Sequence, residues 1–509
     1  MRKRAFVYAL AALLAGVLAM GGLTGCGPKD DPGVIRVLCV ENYTRIGEDQ
    51  STPVTLALEK KFGKKFQFIV GANHPEVSSK LGQLVNGNNV PDLVIGQTVD
   101  INKFPRSFLN LKDYENKMPN LFSYVNEPDV KRFVERDDGS IINCPTIVEL
   151  RIQVAYIIRT DWLDNLGLPI PETFKQFEDT MYAFAKDDPG QTGIRNTIGF
   201  AQIDASWELQ FAGNFKGSCQ NILRNGELVY GPTEPQYRET LQYLNKLYSD
   251  GVLNPEFATT DIDKFQQLVA SGRVGFTRAF FNRLEDVFDW SRTSDPNATW
   301  AIILPPILSD GKRYEQYQTN RVGNFGIAIN KNSSKKDTLV EMVDYLYSEE
   351  GRLLTSFGVE GETYDMVGGK PVFKNIVTNH PRWKDSRSVK WYFGIEPQQH
   401  FSMVQDRSAF IYRPEVMAGI ELCESNFEMY DNIPETPPVM LNINYSASER
   451  QAALVDWYEI ERRMQEQSYR FIMGQRSFSD WDKFMGELNS LGLSTVMKTI
   501  NDAYKRVMA

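Results

Sequence analysis

Apolar segments typical of buried strands alternate with helical patterns along the first part of this chain. Strands are predicted at Val34–Val40, Phe66–Val70 and Pro91–Gly96, and helices between them at Thr52–Phe62 and Ser78–Val85. Gly63 follows the first helix at the position where a helix stop is expected. Strands that alternate with helices in this way pack as an α/β fold with a largely parallel sheet.

The N-terminus has the layout of a lipoprotein leader. A cationic head, Arg2 to Arg4, precedes the uncharged run Ala5–Gly22 and the sequence Leu23-Thr24-Gly25-Cys26, which resembles a bacterial lipobox. Residues 1–25 are therefore predicted to be a signal peptide, Cys26 the lipidated first mature residue, and residues 26–33 a tether. Acyl chains such as palmitate would then hold the protein on the extracytoplasmic face of the cell membrane. A plain signal peptide or a transmembrane anchor is the alternative.

Composition indicates a soluble globular protein with two or more domains. The 509 residues are 42% hydrophobic and 24% charged, and no second apolar run is long enough for a membrane-spanning helix. The net charge is −9 and no basic cluster follows the leader. This balance argues against nucleic acid and anionic lipid as partners, because both attract concentrated Lys and Arg.

Four cysteines remain beyond the leader, namely Cys39, Cys144, Cys219 and Cys423. Their even number permits disulfides outside the cytoplasm, but their spacing does not decide whether any forms. Cys39 lies in the first strand pattern and is predicted to be a packed core thiol. The three histidines and the scattered cysteines lack the ligand spacing of a zinc site.

Helical patterns dominate the rest of the chain. Helices are predicted at 173–186, 234–250, 261–271, 336–347, 448–473 and 479–488. Short strands are predicted between them at 274–277, 300–304 and 325–329. The sequence contains no internal repeat and no low-complexity segment. Long amphipathic helices therefore extend the α/β fold at its C-terminal end.

Four segments in a fixed order resemble a known family. They are Arg159–Leu168 followed by Pro171-Glu172-Thr173, then Gly231–Phe257, Phe325–Gly361 and Phe471–Phe484. Together they are similar to the carbohydrate-type (family 1) extracellular solute-binding proteins of bacterial ABC importers. Within that family they resemble the long lipoproteins related to alginate- and oligosaccharide-binding receptors. Most of these motif residues are predicted to have a structural role, such as Gly167 as a helix C-cap and Ser348 as an N-cap.

The resemblance implies a periplasmic-binding-protein-like fold of two lobes, with a hinge and an interlobe cleft. By analogy, residues 34–145 with 300–357 form the N-terminal lobe, and residues 146–299 with 358–509 form the C-terminal lobe. Such a receptor captures a saccharide or oligosaccharide in the cleft, closes on it and delivers it to an ABC importer permease. It is expected to be a monomer without catalytic activity or a required cofactor.

A loop after the helix at 173–186 is similar to a calcium loop that has lost ligands. Asp188 and Asn196 stand at positions one and nine, and Gly193 provides the turn at position six. Position three is Gly190 and position twelve is Gly199, neither of which offers a side-chain oxygen. We expect weak Ca²⁺ binding or none, and a glycine-rich helix-to-strand turn is the alternative.

Ligand contacts are predicted from the side chains that suit a sugar, which are aromatic faces for its C–H surfaces and planar polar groups for its hydroxyls. The aromatic candidates are Trp391, Phe281, Trp207 and Tyr392. The polar candidates are Asn42, Tyr43, Arg278, Arg321 and Asn324. Each aromatic residue has a core role as its alternative, and each polar residue a role in a solvated loop or hinge. If Arg278 and Arg321 both face the cleft, an acidic saccharide becomes the favoured ligand.

Two other functions compete with the receptor. One is a surface adhesion or sensor-partner lipoprotein that binds no solute, and it would lack a hinged cleft. The other is a lipid-anchored glycosidase, which needs two opposed carboxylates. The sequence contains no Gly-x-Ser-x-Gly or His-Glu-x-x-His motif.

Overall fold

The computed structural model describes most of the mature chain. The described residues are 31–42, 49–136, 138–148, 154–315, 321–383, 386–395, 401–405, 413–426, 430–432, 445–446, 449 and 455–508. The predicted signal peptide, Cys26 and Tyr43 lie outside them. No helix in these ranges is long and apolar enough to cross a bilayer.

Strands run through both halves of the described chain. In chain order they are β1 Val34–Val40, β2 Lys65–Gly71, β3 Leu93–Gln97, β4 Cys144–Val148, β5 Val154–Arg159, β6 Asn221–Arg224, β7 Glu227–Tyr230, β8 Phe276–Phe280, β9 Trp300–Ile303, β10 Arg313–Glu315, β11 Val322–Ile329, β12 Tyr364–Val367, β13 Lys370–Phe373, β14 Val404–Gln405 and β15 Tyr430–Asn432.

Helices separate the strands and dominate the C-terminal end. They are α1 Pro53–Phe62, α2 His74–Asn86, α3 Thr98–Ile101, α4 Pro119–Val125, α5 Pro128–Val134, α6 Thr160–Leu166, α7 Phe174–Lys186, α8 Ala205–Leu209, α9 Pro235–Ser249, α10 Ile262–Ala270, α11 Phe281–Ser291, α12 Lys336–Tyr347, α13 Glu349–Phe357, α14 Asn375–Thr378, α15 Ser386–Phe393, α16 Pro414–Ser425, α17 Trp457–Ile472, α18 Trp481–Ser490 and α19 Leu493–Met508.

The first domain is built on a six-stranded sheet with the order β14-β4-β11-β3-β1-β2. Strand β1 pairs in parallel with β2 and β3, as the alternating pattern predicts. Strand β11 arrives from much later in the chain and pairs antiparallel with β3 and β4. The first-domain core includes Cys39, which is 1% exposed, so its predicted role as a packed thiol is confirmed.

The second domain has a three-stranded sheet in which β5 lies between β8 and β9 and is antiparallel to both. Its core is rich in aromatic rings, and Tyr156, Phe177 and Phe276 lie within 4.4–5.9 Å of one another by ring centroids. Helices α17, α18 and α19 pack into this same core. The C-terminal helices predicted from sequence therefore enlarge the second domain.

Among the described residues, the chain passes between the two sheets at three places. These lie between Val148 and Val154, between Ile303 and Val322, and between Gln405 and Pro414. Three crossings on the side where β4, β11 and β14 are neighbours form the connection that a hinge requires.

The expected lobe division differs from these crossings in two places. Strand β9 (Trp300–Ile303) was expected in the N-terminal lobe, but it pairs with β5 in the second sheet. Val389, Phe393, Ile395, Phe401, Met403 and Val404 were expected in the C-terminal lobe, but they contribute to the first-domain core. The boundaries differ because a strand belongs to the domain that contains its pairing partners. The apolar pattern of one strand does not show which other strands it pairs with.

The four cysteines Cys39, Cys144, Cys219 and Cys423 are buried, and no disulfide joins any two of them. Burial raises the pKa of Cys39 and of Cys219 to about 12. Since the thiolate is the reactive form, these thiols are inert as long as the protein stays folded.

Candidate functional site

Helix α15 lies at the junction of the two domains. Its residues Val389 and Phe393 belong to the first-domain core, and the helix also packs against α11 of the second domain. The predicted ligand residues Trp391 and Tyr392 are both on this helix. A change in the angle between the domains therefore has to alter the packing contacts of α15.

The structure brings two of the predicted residues together at this junction. The Asn42 side-chain Nδ2 donates a hydrogen bond to the Trp391 carbonyl at 2.7 Å, and the Asn42 backbone N–H donates to Gln50 Oε1 at 2.8 Å. Asn42 is 1% exposed and Trp391 is 4% exposed. Asn42 lies just beyond the carboxyl end of β1, where open α/β sheets bind ligands, and it fixes α15 there.

The end of α15 is fitted closely against the start of α1. Gly394 has a φ of 82°, and a Cβ placed on it would lie 2.2 Å from Thr52 Oγ1. Thr52 is the N-cap of α1 and forms a capping box with Thr55. Tyr392, by contrast, is half-buried and packs on His380 with ring centroids 5.2 Å apart.

Strand β8 carries the predicted residue Arg278 and leads directly into α11, which begins with the predicted residue Phe281. Phe281 is only 3% exposed and packs in the second-domain core, whereas its neighbour Phe280 is 40% exposed. Phe280 was not selected from sequence. The strand pattern could have indicated Phe280, because it is two residues after the selected Arg278 and side chains two apart share a face of a strand.

A cavity of about 220 Å³ lies in the second domain. Its walls come from two distant parts of the chain, namely Ser206, Leu209, Gln210, Cys219 and Gln220 on one side and Tyr458, Glu461, Arg462, Met464 and Gln465 on helix α17. Sequence reasoning selected none of these residues. No local pattern could have paired the two segments, since they meet only through tertiary packing.

Two predicted ligand residues lie next to residues of this cavity wall, one through a side-chain contact and one through its position in the sequence. Arg278 Nη1 donates to Gln210 Oε1 at 3.0 Å, and its guanidinium lies 5.6 Å from the centre of the Tyr156 ring. Arg278 is 3% exposed, so it supports the cavity wall through Gln210. Trp207 belongs to α8, the helix that contributes Ser206 and Leu209 to the wall.

Glu461 is the acidic group of the cavity wall. Burial raises the pKa of its carboxyl to about 7, and the neighbouring Tyr230 hydroxyl opposes that rise. The two groups do not meet in a regular hydrogen bond, since Glu461 Oε1 and the Tyr230 hydroxyl both lack a hydrogen-bond partner in the described part of the chain. A buried carboxyl oxygen left without a partner is energetically costly, and a ligand hydroxyl can satisfy it.

The other polar candidates do not line the cavity. Arg321 forms an ion pair with Glu127 at 2.5 Å and lies 5.6 Å from the Tyr124 ring centre, all in the first domain. Asn324 is exposed on β11. The structure thus ties Arg278 but not Arg321 to the cavity.

The loop that resembles a calcium site has side-chain oxygens at only some of the expected ligand positions. The Asp188 carboxylate accepts hydrogen bonds from the Gly193 N–H at 2.7 Å and from Thr192, and these bonds hold its pKa below the usual range. A Cβ at Gly199 would lie 2.1 Å from the Met181 carbonyl, so the twelfth position has no room for a liganding side chain. Asn196 is exposed, and its carbonyl accepts from Arg273. The described residues contain no cluster of three His, Cys, Asp or Glu side chains suited to a metal.

Two proteins of Bacillus subtilis (strain 168) are similar to this chain over most of its length. Lipoprotein LipO is 23% identical over 445 residues, which are 82% of this chain and 84% of LipO. The polygalacturonan/rhamnogalacturonan-binding protein YtcQ is 25% identical over 446 residues, which are 84% and 83% of the two chains.

Solved structures share the fold. The alginate-binding protein AlgQ2, crystallised without calcium ion, superposes with a TM-score of 0.77 at 21% identity and covers 94% of this chain and 99% of its own. The Streptococcus pneumoniae ABC-transporter substrate-binding protein FusA, in complex with kestose, gives 0.75 at 14% identity, with 93% and 99% covered. Residues 60–353, more than half of the chain, match the model of one family. The chain therefore belongs to the bacterial extracellular solute-binding protein family.

Proposed function

We propose that this protein is a lipid-anchored receptor that captures an extracellular saccharide or oligosaccharide between its two domains and delivers it to an ABC importer. Three chain crossings join the domains, and helix α15 packs against both of them. This two-domain connection is the observation that carries the proposal, since a ligand that contacts both domains favours the closed arrangement through its additional contacts.

The relatives support the class of ligand. YtcQ is named as a polygalacturonan/rhamnogalacturonan-binding protein, and the FusA structure is a complex with kestose. LipO is named as a lipoprotein, which supports the predicted anchor at Cys26. The matched family consists of binding proteins, which favours a receptor over a glycosidase.

The test is a thermal-shift screen of the purified protein with neutral oligosaccharides, uronate oligosaccharides, peptides and Ca²⁺. A ligand present at one hundred times its dissociation constant adds about 2.7 kcal/mol to the free energy of unfolding. We expect one class of glycan to raise the melting temperature by a few degrees and to be recovered uncleaved.

Scattering of the same samples tests closure. A ligand that bridges the domains should reduce the radius of gyration, whereas a non-bridging ligand should leave it unchanged. Absence of any shift across all the glycans would contradict the receptor and favour the adhesion or sensor-partner alternative. Cleaved glycan would instead indicate a glycosidase.

A further inference from the structure

The second-domain cavity has the size and lining of a subsite for one sugar ring. Its volume of about 220 Å³ is below the roughly 300–1,000 Å³ of pockets that enclose a whole drug-sized ligand. The cavity therefore has room for one ring of an oligosaccharide while the rest of the chain stays outside. Burial of one ring in this way would fix the register of a longer ligand.

Half of the ten lining residues are neutral and polar. Gln210, Gln220 and Gln465 contribute amides and Ser206 contributes a hydroxyl. An amide carries both a donor and an acceptor, so it can bond two adjacent hydroxyls of a sugar. Tyr458 is 65% exposed at the cavity and offers an aromatic face for the C–H surface of the ring.

Glu461 distinguishes neutral from acidic rings. Its Oε1 is buried without a hydrogen-bond partner among the residues that the structure describes, and the burial of a carboxyl is tolerated only when it is neutral or well hydrogen-bonded. A sugar hydroxyl can donate to this oxygen. A uronate carboxylate in the same place has no proton to donate and would be repelled by the ionised form of Glu461.

Nearby cations do not reverse this preference. Arg278 is engaged with Gln210, and Arg462 has a side chain that is 56% exposed and paired with Glu459. Both guanidiniums thus already have side-chain partners, which compete with any carboxylate of a ligand. We propose that the cavity between α8 and α17 binds one uncharged sugar unit of the ligand, with Glu461 accepting a hydrogen bond from a ring hydroxyl. This inference rests on the proposed saccharide-binding function.

The test compares isothermal titration of kestose, maltotriose and trigalacturonate against the unmodified protein and three variants. Glu461→Gln keeps the size of the side chain but removes its charge, and Gln220→Leu removes an exposed amide of the lining. Glu466→Gln is the matched control, because Glu466 lies on the same helix and is not among the residues that line the cavity. Its ion pair with Arg470 is 3.1 Å long, whereas its contact with the cavity residue Arg462 is 4.0 Å. Melting temperatures identify any variant that fails to fold.

We expect Glu461→Gln and Gln220→Leu to weaken binding of a neutral trisaccharide at least tenfold, and Glu466→Gln to change it less than twofold. Glu461→Gln should also improve trigalacturonate binding, a change of opposite sign that a merely structural residue would not produce. Saccharide binding that is unaffected by both cavity variants would overturn the subsite alone. Failure of every saccharide to bind the unmodified protein would overturn the proposed function, and the subsite with it.

Discussion

Arg159 shows that a motif residue used to recognise a family can have a wholly structural role. It is 2% exposed, forms ion pairs with Asp161 and Asp295, and lies over the rings of Trp162 and Trp300 at 4.8 and 5.6 Å. Its planar guanidinium packs against both indole rings, and its N–H groups pair with both carboxylates. Lysine cannot replace either feature.

Replacing Arg159 with Met should therefore lower the free energy of unfolding by about 3 kcal/mol, because two carboxylates lose their partner and the stacked contact is lost. Arg159→Lys should recover less than half of this loss. Urea denaturation measures both. Arg470→Met is the control, since its side chain is 52% exposed and paired on a helix surface, and a loss there of the same size would contradict the argument.

The raised pKa of Glu461 predicts a pH dependence of stability. Burial raises the pKa of this carboxyl to about 7 in the folded protein, from the usual 4.5 that it regains in the unfolded chain. Between these values the folded state binds more protons, so the free energy of unfolding falls as pH rises through this window, by up to about 3 kcal/mol.

Glu461→Gln should remove this dependence, so that the difference in stability between variant and unmodified protein grows from pH 5 to pH 8. Denaturation at a series of pH values provides the measurement. Glu466→Gln should leave the slope unchanged. A parallel displacement of the Glu461→Gln curve at every pH would show that the carboxyl titrates normally.

The sequence predicted individual strands and helices more closely than it predicted tertiary contacts. The strand at Val34–Val40 and the helix that follows Thr173 were predicted to within a residue, because apolar period and capping are local properties. Phe281 was preferred over Phe280 because the end of β8 had not been located. Glu461 was missed because its cavity joins segments far apart in sequence.

The attachment of α15 to α1 gives a prediction for Gly394. Gly394→Ala should cost more stability than Gly361→Ala, although both residues have a φ of 82°. A Cβ at Gly361 meets nothing within 4 Å, so that variant reports backbone strain alone, about 1 kcal/mol. The collision with Thr52 should add about 1–3 kcal/mol. Equal losses in urea titrations would mean that α15 adjusts freely.

The loop at Asp188 predicts that calcium does not change the thermal stability of the protein. Gly190 and Gly199 give positions three and twelve no side-chain oxygen, and a Cβ at Gly199 would collide with the Met181 carbonyl. The melting temperature should be the same in EDTA and in millimolar CaCl₂, since a bound ion would stabilise the folded state by mass action. A rise of several degrees with calcium would contradict this expectation.

Neither domain is formed by one continuous stretch of chain. The first sheet takes strands β1 to β4 from the N-terminal part, and then β11 and β14 from beyond the second sheet. This arrangement explains why the lobe boundaries expected at 300 and 358 were displaced. Strand partners separated by hundreds of residues leave no mark in local composition.

A fragment of residues 27–148 should therefore stay unfolded, because β11 is missing from between β3 and β4. Its amide proton spectrum should show the narrow dispersion of a disordered chain. A well-dispersed spectrum would mean that β1, β2 and β3 form a stable unit without β11. The full chain serves as the reference.

The position of β14 also limits when the protein can fold. The edge of the first sheet closes only when Val404–Gln405 reaches Ile147–Val148, near the end of synthesis. Contacts between such distant residues form slowly, since a long loop must be closed before any gain in stability follows. Until Val404–Gln405 has been synthesised, the first-domain sheet is incomplete, and an incompletely folded chain can still pass through a narrow channel. The same topology that joins the two domains would thus suit the export that the predicted leader implies, in which the chain crosses a membrane as an extended polypeptide before it folds.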